Sequence, residues 1–175
     1  KKNGWITFQL PEKRPEKLIS VIEVELDGEA KVDTTVGIDP VFPTIIPVDM
    51  SEAEGCDIVD KKWMEKFGEW KHIKQAQNWT KESKIKWEVD VMEPGYYQVD
   101  LNYAGEGRLV WNIQTEEGTM VQNEQDASHI YNFFQMGHLK FNKPGKHTIS
   151  VSFVDGQMAT ASLKMIKLTP IASMD

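Results

Sequence analysis

Cysteine is almost absent: Cys56 stands alone among 175 residues, so neither an internal disulfide framework nor a thiolate zinc cluster can be built. The chain also lacks the run of about 18 apolar residues that a membrane-spanning helix needs, and has no signal-type apolar block. Glycine and proline, at 12 and 8, are too few for a collagen-like or low-complexity chain. No block of basic residues is present. The 20 lysines and arginines are interleaved with 27 acids for a net charge of -7, which argues against a nucleic-acid backbone as ligand. What is plentiful is apolar and aromatic surface, 40% and 10% of the chain with six tryptophans. That suffices for one large core, or a domain with a flanking piece. The opening Lys1-Lys2-Asn3, without an initiator methionine, reads as an excised fragment.

Alternation of apolar and polar residues dominates the text. Ile6, Phe8 and Leu10 alternate before Pro11, and Leu18 to Leu26 forms a second such run closed by Asp27-Gly28. Two strands cannot make a core alone, so these need partners elsewhere. From Val36 to Asp49 the prolines at 40, 43 and 47 forbid helix and point to an extended connector. Its Phe42, Ile45 and Ile46 suggest that it lies against a surface, and a domain boundary is expected near Pro47. Asp60 to Lys74, with Trp63, Met64, Phe67, Trp70 and Ile73, fits a short amphipathic helix capped by Asp60, or else a pair of short strands or a loop.

Beyond this the period is two. Ile85, Trp87, Val89 and Val91 alternate with lysines and acids, Glu93-Pro94-Gly95 turns the chain, and Tyr97, Val99, Leu101 and Tyr103 alternate in their turn. Leu109, Trp111 and Ile113 follow, then a strand around Leu139 and Phe141 that runs into Asn142-Lys143-Pro144-Gly145. His147, Ile149, Val151 and Phe153 share a face, and Ala161, Leu163 and Met165 share another beyond Asp155-Gly156. The turns at Pro94-Gly95 and Pro144-Gly145 each suit a tight reversal at the sandwich edge. Short strands at this spacing predict an all-β, antiparallel β-sandwich.

Three segments carry a resemblance. Gly137-His138-Leu139 through Val151 resembles the closing strands of the carbohydrate-binding-like jelly-roll modules of secreted polysaccharide-degrading enzymes. Lys86 to Val91 with Glu93 to Val99 looks like their first core strand pair, and Leu163 to Pro170 like their last strand. Leu18 to Gly28 resembles the final strand of the small sandwich that follows the barrel in bacterial alpha-L-fucosidases of glycoside hydrolase family 29. The resemblance implies terminal strands of an upstream sandwich at 1–30, a Pro-rich connector at 31–47, a galactose-binding-like jelly roll at 48–170 and a tail at 171–175. It further implies a secreted, periplasmic or extracellular protein. Its catalytic domain, which hydrolyses terminal alpha-L-fucose with retention, would lie upstream of Lys1. The implied partners are a glycan, fucosylated in that setting, and that upstream domain, with no nucleic acid and no membrane insertion.

The candidate sites follow from chemistry. A glycosidase needs two carboxylates about 5 to 9.5 Å apart across a sugar pocket, whereas Glu23/Glu25, Glu52/Glu54 and Glu116/Glu117 all read as surface charge; the resemblance, which puts the catalytic domain upstream of Lys1, implies no catalytic residue here. His72, His129, His138 and His147 lack metal-binding spacing, and His147 fits a half-buried ring on a strand. No cofactor is expected, although Glu52, Glu54 and Asp57 could supply oxygen ligands to a structural calcium of the kind such jelly rolls hold. Trp87 and Trp111 read as core. Aromatic faces flanked by amides and hydroxyls suit the C–H side and hydroxyl groups of a pyranose. Gln75-Ala76-Gln77-Asn78-Trp79-Thr80 and the run from Gln122 to Gln135 have that character. The carbohydrate-binding candidates are therefore Trp70, Asn78, Trp79, His129 and Tyr131, with the alternative that Trp79 caps the sandwich. A protein-binding or adhesion sandwich without a sugar ligand is the rival reading.

Overall fold

The computed structural model describes residues 8–13, 19, 21–28, 35–64 and 70–171, and for residues 63, 64, 70 and 71 the backbone alone. The chain separates into two units, Lys1–Thr34 and Thr35–Asp175. In the first unit, residues 8–10, 19 and 21–26 carry no regular secondary structure. The remainder of the strands expected at Ile6–Leu10 and Leu18–Leu26 lies outside the described residues, as does Trp5.

The second unit is an all-β jelly-roll sandwich. Its strands are β1 (Val36–Ile38), β2 (Thr44–Pro47), β3 (Glu52–Glu54), β4 (Asp57–Met64), β5 (Trp70–Gln77), β6 (Lys84–Val91), β7 (Gly95–Ala104), β8 (Gly107–Thr115), β9 (Met120–Ala127), β10 (Asn132–Phe141), β11 (Gly145–Gly156) and β12 (Ser162–Pro170). One sheet runs β1-β6-β11-β8-β9, with β3 sharing the β1 edge of β6; the other runs β10-β7-β12-β5-β4, with β2 beside β5 on β12. The β1–β6 pair is parallel, and the other described pairs are antiparallel.

Alternation decides which side chains enter the core. Ile85, Trp87, Val89 and Val91 of β6 and His147, Ile149, Val151 and Phe153 of β11 are buried and face inward from the first sheet. Tyr97, Val99, Leu101 and Tyr103 of β7 and Leu163, Ile166 and Leu168 of β12 do so from the second. Trp111 sits at the centre of an aromatic cluster, edge-on to Trp79 at 4.9 Å and to Phe153 at 5.1 Å, with Tyr103 at 5.3 Å. Each large side chain so enclosed is worth about 2–3 kcal/mol over its exposed state. The Trp87 indole N–H donates to the Pro47 carbonyl at 3.0 Å, tying β6 to the end of β2.

The structure bears on four expectations. The proline-rich stretch is no connector: its prolines flank short edge strands instead of interrupting them, so the sandwich begins at Thr35 and the boundary expected near Pro47 falls inside it. Edge positions tolerate a missing N–H. Between β1 and β2 the Asp39 carboxylate accepts the N–H groups of Val41 and Phe42 at 2.7 and 2.8 Å, an Asx turn that holds its pKa below the usual value. Of the apolar residues there, Ile46 is buried while Phe42 and Ile45 are exposed. Of the readings open for Asp60 to Lys74 the pair of strands holds in the described residues, β4 running to Met64 and β5 starting at Trp70, antiparallel to each other. The Pro-Gly turns reverse the chain between the two sheets: β6 and β7, β10 and β11, and also β11 and β12 lie in opposite sheets. Finally, His147 is buried, not half-buried: its ring nitrogens lie 2.7 Å from Glu116 Oε1 and 2.9 Å from the Lys143 carbonyl.

Candidate functional site

A two-layer sandwich has two outward faces, and the residues left over from core packing determine them. On the second sheet, the outward members of β7 are Tyr96, Gln98, Asp100 and Asn102, since their neighbours Tyr97, Val99, Leu101 and Tyr103 are inside. Register places Lys140, His138, Gln135 and Phe133 of β10 opposite them, and Thr169, Lys167 and Met165 of β12 on the other side. Beyond β12, Gln75 and Gln77 of β5 share this face because Ala76 between them points into the core.

This face combines half-exposed rings with buried polar groups. Tyr96 and Phe133 are each 42% exposed, while Gln75, Asp100, Asn102 and Ser162 are buried. Asp100 accepts from Lys167 Nζ at 2.6 Å and from Gln98 Nε2 at 2.9 Å, and the same ammonium lies 4.5 Å from the Phe133 ring centre. Farther along, the Tyr131 hydroxyl meets Ser162 Oγ at 2.6 Å, and Gln77 Nε2 donates to Ser162 Oγ at 3.1 Å and to Gln75 Oε1 at 3.0 Å. Lys164 Nζ sits 3.5 Å above the Tyr131 ring. Burial lowers the Lys164 pKa, as does the like charge of Lys61, and burial raises that of Tyr131 against the opposing Ser162 bond. Lys140 lies over Tyr96 at 5.5 Å. Six residues along β7 separate the Tyr96 level from the Phe133 level, roughly 20 Å at a strand's rise of 3.3 Å per residue.

The five candidates end in different places. Tyr131 belongs to the polar network just described. Trp79 does not form a platform: it is 5% exposed, its indole N–H donates to the Ala76 carbonyl at 3.1 Å, and it packs edge-on against Trp111. The capping alternative holds for it. Asn78, in the left-handed region at φ 57, donates to Asp57 Oδ2 at 2.7 Å and is exposed at the end of β5. His129 is exposed in the turn between β9 and β10. Trp70 opens β5 opposite Met64, and its side chain is outside the described residues. The structure therefore assembles the face from residues the candidate set omits: Tyr96, Gln98, Asp100, Phe133 and Lys167. A signal was present, since Tyr96 is an aromatic on the polar phase of a strand whose other phase is fully apolar.

Among the described residues, the acids and histidines whose ligand atoms lie within 4.8 Å of one another are Glu116, Glu117 and His147. The calcium candidates Glu52, Glu54 and Asp57 are not so grouped; Glu54 is 2.6 Å from Lys86 and Asp57 receives Asn78. Glu116 Oε2 accepts the Thr148 N–H, and Glu117 Oε2 accepts the Asn142 N–H and side-chain amide, which lowers the Glu117 pKa. These three residues thus close the β8–β9 turn onto the start of β11.

No protein-family model matches the sequence, and no curated protein matches it. Solved structures do match in fold. The GH26-CBM35 β-(1,4)-mannanase of Podospora anserina superposes with a TM-score of 0.60 at 16% identity, over 77% of this chain and 29% of that one. A Bacillus thuringiensis structure, the mosquito-larvicidal Cry4Aa toxin, gives 0.61 at 15% identity, over 81% of this chain and 26% of the toxin. The carbohydrate-binding module CBM6cm-2 of Cellvibrio mixtus lichenase 5A, in complex with cellotriose, gives 0.56 at 12% identity, over 74% of this chain and 98% of the module. The chain thus spans under a third of the two larger proteins and nearly all of the isolated module. At such identities the likeness is one of fold, and function rests on the site.

Proposed function

We propose that the sandwich is a noncatalytic glycan-binding accessory module of a secreted glycoside hydrolase, with an alpha-L-fucosidase as the parent enzyme. The observation that carries this is the outward face of the second sheet. Two half-exposed rings, Tyr96 and Phe133, stand at its ends, with Gln98 and Asp100 between their levels and Asn102 beside Phe133. Rings stack on the C–H faces of sugars, and fixed amide and carboxylate groups pair with hydroxyls. The roughly 20 Å separation favours an oligosaccharide chain over a single sugar. Between the rings there is a single carboxylate, Asp100, and it is engaged by Lys167 and Gln98. Hydrolysis would need a second acid across the sugar. Tyr131 extends the face toward β5, and the fold likeness to carbohydrate-binding modules agrees with this use. Tethered to a catalytic domain, weak binding raises the enzyme's local concentration at its glycan.

Calorimetric titration of the protein with fucosylated oligosaccharides and their defucosylated counterparts tests the reading. Saturable heat that Phe133→Ala and Tyr96→Ala abolish supports glycan binding on this face, and restriction of that heat to the fucosylated set supports the fucosidase parent. A folded protein giving no heat with either set refutes it. The second reading, packing on another part of the parent or on a partner protein, is favoured by Val41, Phe42, Ile45 and Met50, each at least 50% exposed around β2.

A further inference from the structure

We propose that the outward face of the second sheet takes an anionic glycan, one bearing uronate or sulfate groups; this rests on the glycan-binding reading above and narrows its ligand class. In a chain of net charge -7, this face is basic. By strand alternation it carries Lys61, Lys140, Lys164 and Lys167 together with His138, against Asp57 and Asp100. Asp100 is already matched by Lys167 at 2.6 Å, and Asp57 lies at the margin receiving Asn78. Lys61, Lys140 and Lys164 have no carboxylate within ion-pair distance among the described residues.

Lys164 is the informative member. Its ammonium is held over the Tyr131 ring at 3.5 Å, partly shielded from water and near the like charge of Lys61. Keeping Lys164 charged there costs the folded protein electrostatic energy that a bound anion would relieve. The opposite face shows that this is not a property of the surface as a whole. There Glu52, Glu54, Glu88, Asp90, Glu124, Asp126 and Asp155 outnumber Lys84, Lys86, Arg108 and Lys146, and Arg108 is held by both Glu124 and Asp155. The field therefore draws an anion to the face that also has the rings. The lysines adjoin Tyr96, Phe133 and Tyr131, so charge and stacking act on one ligand.

The test is titration of the whole chain with polygalacturonate and a sulfated galactan, each beside its carboxyl-reduced or desulfated counterpart, and with a single-stranded oligonucleotide as a non-glycan polyanion. The expected result is about tenfold tighter binding to at least one acidic glycan than to its neutral form. The preference should shrink with added salt and disappear in the double variant Lys61→Gln/Lys164→Gln, whose circular dichroism and melting confirm the fold. The arm that responds identifies uronate or sulfate. Equal affinity for the neutral counterpart, or a preference that survives in the double variant, overturns the inference and leaves the glycan-binding reading intact. Oligonucleotide binding as tight as that of the glycans also overturns it, by showing charge without sugar recognition. Absence of binding to every glycan sinks both together.

Discussion

Lys167 and Lys86 each hold a carboxylate at 2.6 Å, one on each outward face of the sandwich, yet the two pairs differ physically. Asp100, the partner of Lys167, has a side chain 5% exposed, held by the lysine and by the Gln98 amide. Glu54, the partner of Lys86, is 56% exposed on the short edge strand β3. The first pair replaces water for a carboxylate that has little of it; the second competes with bulk solvent. The faces follow suit. The first sheet shows hydroxyls, amides and intermixed charge, with no aromatic ring among the outward residues of β6, β8, β9 and β11. The second gathers rings, buried polar groups and lysines. A solvated face meets its polar groups with water, whereas a face that buries polar groups must pair them within the protein.

The largest expected effect breaks that contrast directly. Lys167→Met should destabilise the protein by about 2 kcal/mol by stranding the Asp100 carboxylate, whereas Lys86→Met should cost at most about 1 kcal/mol. Urea unfolding midpoints of the two variants measure the difference, and equal shifts would show that the faces are not distinct. Next comes binding. Phe133→Ala should weaken any glycan complex at least about tenfold, as loss of one stacking ring would, while Asn112→Ala on the other face leaves it unchanged. Both variants should melt near the parent temperature.

Acid sharpens the comparison further. Asp155, bonded first by Arg108, Glu54 by Lys86, Glu117 by the Asn142 N–H and Asp39 by the Phe42 N–H, all have lowered pKa values. A carboxylate lowered on folding stabilises above its unfolded pKa, and that contribution is lost as pH falls through the folded value. Melting temperature should therefore decline below about pH 4.5, the ordinary glutamate value. Amide exchange should rise first at β3 and at the ends of β8 and β11, and a uniform rise over both sheets would contradict this.

The smallest effect is on Lys164. Its pKa is lowered chiefly by burial, so the charged form penalises folding at neutral pH and the penalty fades as pH rises toward 10.5. Lys164→Met should raise the melting temperature slightly at pH 7 and not at pH 10.5, while reducing affinity for an acidic glycan. A variant that melts lower at pH 7 would remove the argument that this lysine is kept at a cost to stability.

Trp87, Val99 and Val151 show how much was legible before any coordinates. Their phase along each strand placed them inside, because side chains on a strand have a period of two and only one phase is apolar. Trp79 and Tyr96 show where that logic stopped. Trp79 lies just after β5, where no periodicity applies, and the aromatic cluster around Trp111 recruits it inward. Tyr96 was readable as outward yet uninformative alone, since a single ring becomes a site only when Phe133, 37 positions later in sequence, is brought to the same sheet face. The prolines at 40, 43 and 47 point to an extended connector, but each denies only its own N–H, and edge strands can spare one.

The sequence by itself determined that the chain is β-rich, which residues of β6, β7 and β11 are inside, and where the chain turns between them, because these depend on side-chain period and local backbone preference. Only the tertiary structure decided which strands are neighbours. A Pro-Gly turn reverses the chain equally well within a sheet or across a sandwich, and the choice is settled by which apolar faces fill the core together. That choice laid β10, β7 and β12 side by side, and so put rings, buried amides and lysines from distant parts of the chain on one face.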